Sequence, residues 1–280
     1  MIFLKNKGDG LALEKIKLQL LKDSEKGFEV WNETNHKFPF VINLPHSGCY
    51  VSKEMQRQML DHVILPNMDW YLPQLYAFLK ELGFTTIINK VSRYEIDPNR
   101  SLQDRSPKYT YSKNLVYWKT TFGDEIYRQQ LANEEVERRI HEIYLPYHEQ
   151  IQKAIQEKQK HFPKVYVLDL HSFGKEVRAD IVLGNHNGKT TSDKFLQTVS
   201  NLLRAEEFIV KQNEPYSGGY ITRHYGENPQ VCEVLQIELS YSTYIEKRAF
   251  NKEEFPLIDQ EVFDIAQEKM KHFFEQLKQI

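Results

Sequence analysis

Two histidines stand where apolar runs give way to small residues and glycine. Asn43-Leu44-Pro45-His46-Ser47-Gly48 follows the apolar run Phe38–Leu44, and His171-Ser172-Phe173-Gly174 follows Val165-Tyr166-Val167-Leu168-Asp169-Leu170. Each pattern reads as a strand running into a turn with a histidine at its exit, which is the edge of an α/β sheet where ligands bind. Either histidine alone is compatible with an ordinary turn residue. A pair in the same local context could converge on one metal ion, since neutral imidazole is a common zinc ligand. The other histidines lack this setting, and His141 and His148 fall in a polar helical stretch where solvent-facing positions are expected.

Two further groups have the right chemistry. Ser92-Arg93-Tyr94-Glu95-Ile96-Asp97-Pro98-Asn99-Arg100 places two arginines and an asparagine directly after the Thr85–Val91 run. A guanidinium fork matches a carboxylate, so this loop suits an acidic substrate. A structural salt-bridge loop built on Asp97 and Glu95 is the competing reading. In Gln236-Ile237-Glu238-Leu239-Ser240-Tyr241, Glu238 interrupts the apolar faces of an interior strand. A buried carboxylate is costly without a partner or a chemical use, and beside a metal it would move protons. The alternative is a strand end turning to solvent.

The elements that must position these residues alternate. Buried strands are expected at Phe38–Leu44, Thr85–Val91, Lys164–Leu170, Asp180–Leu183, Phe208–Val210 and Val234–Leu239. The clearest helical periods are Met68–Leu82, Asp124–Lys160, broken near Pro146, and Leu257–Lys278. This alternation predicts an α/β sandwich with a parallel or mixed sheet. Arg93–Gly123 and Gln212–Gln230 have neither period and carry the composition of loops covering an active site.

The whole chain narrows the function classes. At 280 residues, without repeats or a linker, it is read as one domain spanning 1–280. Lys+Arg 37 against Asp+Glu 39 gives a net charge of -2, which argues against nucleic acid as a partner. Charged residues interrupt Met1–Leu21, and no run approaches the roughly 20 apolar residues of a membrane span, so a cytoplasmic address is expected. Cys49 and Cys232 are read as thiols.

In order along the chain, Pro45-His46-Ser47-Gly48, Asp69-Trp70, Ser92-Arg93-Tyr94, Asp97-Pro98-Asn99-Arg100, Pro146-Tyr147-His148, Asp169-Leu170-His171-Ser172, Asp180-Ile181-Val182-Leu183-Gly184, Asn213-Glu214-Pro215-Tyr216-Ser217-Gly218-Gly219-Tyr220 and Gln236-Ile237-Glu238-Leu239 resemble the N-formylglutamate amidohydrolases. More distantly the chain is similar to zinc carboxypeptidases and aspartoacylases. The resemblance implies a phosphorylase/hydrolase-like three-layer α/β sandwich with a mixed central sheet, one catalytic Zn2+, and hydrolysis of a small N-acyl acidic amino acid, N-formylglutamate first. It makes His46 and His171 metal ligands, Glu238 the base, and Asn99 with Arg100 a clamp for a substrate carboxylate. The glutamate ligand of the carboxypeptidases falls at Cys49, a departure that leaves Cys49 and Asp69 as rivals; Asp69 is preferred because its Asp-Trp pair matches the family and stands at the start of a helix. A further departure is Asn67, where some members carry an aspartate. On this reading Arg93 stabilises the oxyanion and Arg223 joins Arg100 in holding carboxylates. A carboxypeptidase-type peptidase and a non-catalytic binding protein are the alternatives, and retention of both histidines and the glutamate weighs against the latter.

Overall fold

The computed structural model describes residues 27–105 and 113–280. The expectations for Met1–Leu21, and for 106–112 of the first irregular segment, lie outside them. Among the described residues, seven strands form one mixed sheet in the order β1-β3-β2-β4-β7-β5-β6. They are β1 (Phe28–Trp31), β2 (Phe40–Leu44), β3 (Thr85–Asn89), β4 (Val165–Phe173), β5 (Ile181–Gly184), β6 (Val210–Gln212) and β7 (Cys232–Ser240). The run β3-β2-β4-β7 is parallel, while β1 joins β3 and β5 joins β7 antiparallel. The sequence reading missed β1, whose four residues are all only half-buried and leave little hydrophobic period to detect.

Period-two alternation divides the interior strands between two helical layers. Ile42, Leu168, Leu170, Leu235 and Ile237 face the core shared with the helices Asp193–Ala205 and Gln260–Leu277. Val41, Val165, Val167 and Val234 face Tyr147, Ile151 and Ile155 of the helix Leu145–Gln159. Polar residues on this second face continue the same rows toward the strands' C-terminal ends, and there the site is built.

Several helices differ from expectation. Met68–Leu82 starts only at Leu72, because Tyr71 caps it with φ 59, a left-handed conformation that no helix continues through, and it is split into Leu72–Leu75 and Phe78–Leu82 where Tyr76 leaves helical geometry. Asp69 therefore lies in the segment before the helix instead of at its start. The long central helix begins only at Asn133, passes through a π turn at Ile140–Tyr144, and resumes at Leu145 with Pro146 in its first turn, where a proline needs no amide donor. Ser192 caps Asp193–Ala205 by accepting from the Phe195 N–H, a start signal present in the sequence but not singled out there. Gln212–Gln230 contains a short helix, Tyr220–Tyr225. Among the described residues no helix is long and apolar enough to cross a membrane.

Candidate metal centre and active site

Three ligand atoms, one each from His46, Asp69 and His171, lie within 4.8 Å of one another, and all three residues are buried. His46 leaves the end of β2 and His171 lies on β4, the neighbouring parallel strand. Asp69 is brought to them by its backbone N–H, which donates to the His46 carbonyl at 3.1 Å. His171 Nδ1 is 3.1 Å from Asp69 Oδ2, and His46 Nδ1 is 3.9 Å from the same oxygen.

The far sides of the rings fix their tautomers. His46 Nε2 contacts Asp97 Oδ1 at 2.6 Å, and His171 Nε2 contacts Asp169 Oδ2 at 3.0 Å. An ionised carboxylate only accepts, so each Nε2 carries a proton, and a metal ion in place of any proton on Nδ1 would meet the Nδ1 lone pairs on the Asp69 side. A carboxylate behind a metal-binding histidine is the usual way of orienting such a ring. The donor set, two imidazoles and a carboxylate, fits zinc and leaves room for a fourth partner.

Each supporting acid is itself anchored. Asp169 accepts from Asn43 Nδ2 at 2.7 Å, and Asn43 Oδ1 accepts from the Tyr147 hydroxyl at 2.5 Å. Asn43, Asp169 and Gln236 are cross-strand partners, and His171 and Glu238 form the next pair on β4 and β7. Asp97 accepts from Arg93 Nη2 at 3.1 Å, from the Tyr117 hydroxyl, and from the Asn99 N–H at 2.7 Å. The salt-bridge reading of this loop holds for Arg93 and Asp97, which pair behind His46.

Electrostatics favours a cation at the centre. Burial, reinforced by the Arg93 charge, pushes His46 down to about 4 and keeps it neutral. Burial opposes charge on His171 too, but Asp169 and Asp69 outweigh it and hold that ring's affinity for protons well above the ordinary range. A metal ion would replace that proton, since ligands bind deprotonated. Burial also pushes the Glu238 carboxyl up to about 8, against the opposing pull of His171. Gln236 Nε2 donates to Glu238 Oε1 at 2.9 Å, which fixes the carboxyl in one orientation.

These groups line a cavity of about 460 Å3, within the range of small-molecule sites. His46, Asp69, Arg93, Asn99, Arg100, His171 and Glu238 all reach it; Arg223 is not among its lining residues. Arg223 is exposed and donates to the Gly218 carbonyl at 2.9 Å, with its charge facing Arg100. Asn99 Oδ1 accepts from the Ile221 N–H at 2.8 Å, and a Cβ on Gly219 would come within 2.2 Å of the Asn99 amide, so glycine is required for this close approach. Cys49 lines two neighbouring cavities and not this one, and both cysteines are free thiols.

Sequence reasoning missed the supporting roles of Asp97, Asp169 and Gln236. A signal existed for Asp169 and Gln236, since each stands two residues before a site residue on the same strand face. His148 was misread. Instead of facing solvent, it bridges the Pro98 carbonyl and the Tyr225 hydroxyl, each at 2.9 Å, and burial lowers its pKa to about 4.

A family model for N-formylglutamate amidohydrolase matches residues 38–245. An N-formylglutamate deformylase of Pseudomonas aeruginosa is 30% identical over 233 residues, covering 79% of this chain and 87% of that protein. One of Pseudomonas putida is 29% identical over 223 residues, covering 75% and 83%. The crystal structure of N-formylglutamate amidohydrolase from Ralstonia eutropha JMP134 superposes with a TM-score of 0.76 at 24% identity, covering 91% of this chain and 97% of that one. With every motif from His46 to Glu238 inside the matched segment, the chain belongs to the N-formylglutamate amidohydrolase family.

Proposed function

We propose that this protein hydrolyses N-formyl-L-glutamate to L-glutamate and formate with one zinc ion held by His46, Asp69 and His171. The carrying observation is the convergence of those three donors beside the buried carboxyl of Glu238. Zinc in that position would act as a Lewis acid toward the acyl oxygen and make a bound water more acidic.

The chain's own groups supply the rest. Glu238, 8% exposed and opening into the cavity, accepts a proton from the attacking water and delivers it to the departing nitrogen. Its proton affinity, raised well above an ordinary carboxylate's, suits delivery of that proton to the nitrogen. Arg93 is held on the cavity wall by Asp97 and Tyr117 and offers a fixed positive charge to the oxygen on which charge develops. Arg100, with Asn99 beside it, supplies a guanidinium fork for a substrate carboxylate. The C–N bond breaks as the nitrogen is protonated, and formate and the free amino acid leave.

The test is a panel of N-formyl and N-acetyl amino acids, assayed with added zinc by release of amine. N-formyl-L-glutamate is expected to have the highest kcat/KM, and activity should disappear on chelation and return with zinc. Equal rates for N-formyl-L-glutamine would overturn the acidic-substrate assignment, and full activity after exhaustive chelation would overturn the metal.

A further inference from the structure

The cavity's positive charges are unequally committed. Arg93, Arg100 and Lys175 reach it. Arg93 pairs with Asp97 at 3.1 Å, and Arg100 donates to the Asn99 carbonyl at 2.8 Å with Asp97 Oδ2 3.8 Å away. Both are thus anchored on the buried acid that braces His46. Lys175 is exposed, and among the described residues no carboxylate pairs with it. It follows Gly174, where a Cβ would lie 2.9 Å from the Tyr241 ring, so the chain turns tightly against that ring as it leaves β4.

We infer that Lys175 binds the side-chain carboxylate of the substrate and is the residue that selects acidic N-formyl amino acids. This rests on the hydrolase reading above. An N-formyl dicarboxylate brings two negative charges, and the arginine loop after β3 and the lysine at the exit of β4 offer two cationic attachment points in the same cavity. The planar, anchored fork of Arg100 suits the carboxylate nearest the reacting amide, which must be placed accurately. A point charge on a flexible four-carbon arm suits the carboxylate at the end of a flexible side chain. Arg223, the other candidate, is not among the residues that line the cavity.

The experiment measures kcat/KM for N-formyl-L-glutamate and N-formyl-L-glutamine in the zinc-loaded wild type, Lys175→Met and Lys175→Glu. Lys175→Met should lower the glutamate value roughly 10- to 100-fold, the scale of one charged hydrogen bond, and leave the glutamine value within about twofold. Lys175→Glu should go further and make glutamine the better substrate. Calorimetric binding of L-glutamate, as product, should weaken in parallel with no change for L-glutamine. Equal losses on both substrates, or an acid preference that survives in Lys175→Met, would overturn the assignment while leaving the hydrolase reading intact. A wild type that hydrolyses neither substrate would overturn the underlying reading, and this inference with it.

Discussion

Asp169→Asn isolates the contribution of the carboxylate behind His171. Asp169 is fully buried, and its two oxygens meet two donors: Asn43 Nδ2 at 2.7 Å and His171 Nε2 at 3.0 Å. Asparagine preserves the shape but replaces one acceptor with a donor, so one contact must become donor against donor. If the amide oxygen turns to His171, the clash falls on Asn43, whose own oxygen is occupied by the Tyr147 hydroxyl. If it turns to Asn43, His171 loses its proton acceptor and is free to present the wrong tautomer. Either arrangement strands a buried donor, at a cost of about 1–3 kcal/mol. Losing such an outer partner typically weakens metal binding 10- to 100-fold, or about 1.4–2.7 kcal/mol. Zinc affinity should be measured by competition with a chromophoric chelator, with the far-ultraviolet circular dichroism spectrum confirming that the fold persists. A folded Asp169→Asn protein that binds zinc within twofold of wild type would refute the claim that Asp169 orients the ligand.

Glu238→Gln keeps the size of the base and removes its proton chemistry, so kcat should fall roughly 10²–10⁴-fold while KM and zinc content stay near wild type; near-normal turnover would eliminate Glu238 as the base. His148 gives a pH signature away from the metal. Its folded pKa of about 4 lies below the ordinary 6.5, so the fold favours the neutral ring; that stability is present above pH 6.5 and lost as pH falls toward 4. The loss is at most about 3 kcal/mol. Urea unfolding of wild type and His148→Gln at pH 7.5 and 5 should show a smaller acid loss in the variant, and identical losses would show that His148 is not responsible.

Local sequence carried the chemistry that depends on local pattern. His46 and His171 were legible because each closes an apolar run beside small residues and glycine, and Glu238 because a charge inside such a run demands a reason. The interior strands were legible for the same cause: burial on both faces leaves continuous apolar runs, with ends off by only a few residues. Tertiary structure decided what depends on distant partners. Asp69, and not Cys49, joins His46 and His171 in the group that could hold a metal because a backbone hydrogen bond draws its segment onto His46, and nothing in Asp-Trp encodes that contact. His148 sits in a polar helix, yet Pro98 and Tyr225, 50 and 77 residues away in sequence, close over it. Lys175 lines the cavity and Arg223 does not, for a related reason. Both are cations in irregular surroundings, and only the packing of the chain around the cavity determines which one reaches it. Residue type and spacing specify which groups are capable of the chemistry; how far each charge lies from the others is set by strand order and loop path, which no local pattern contains.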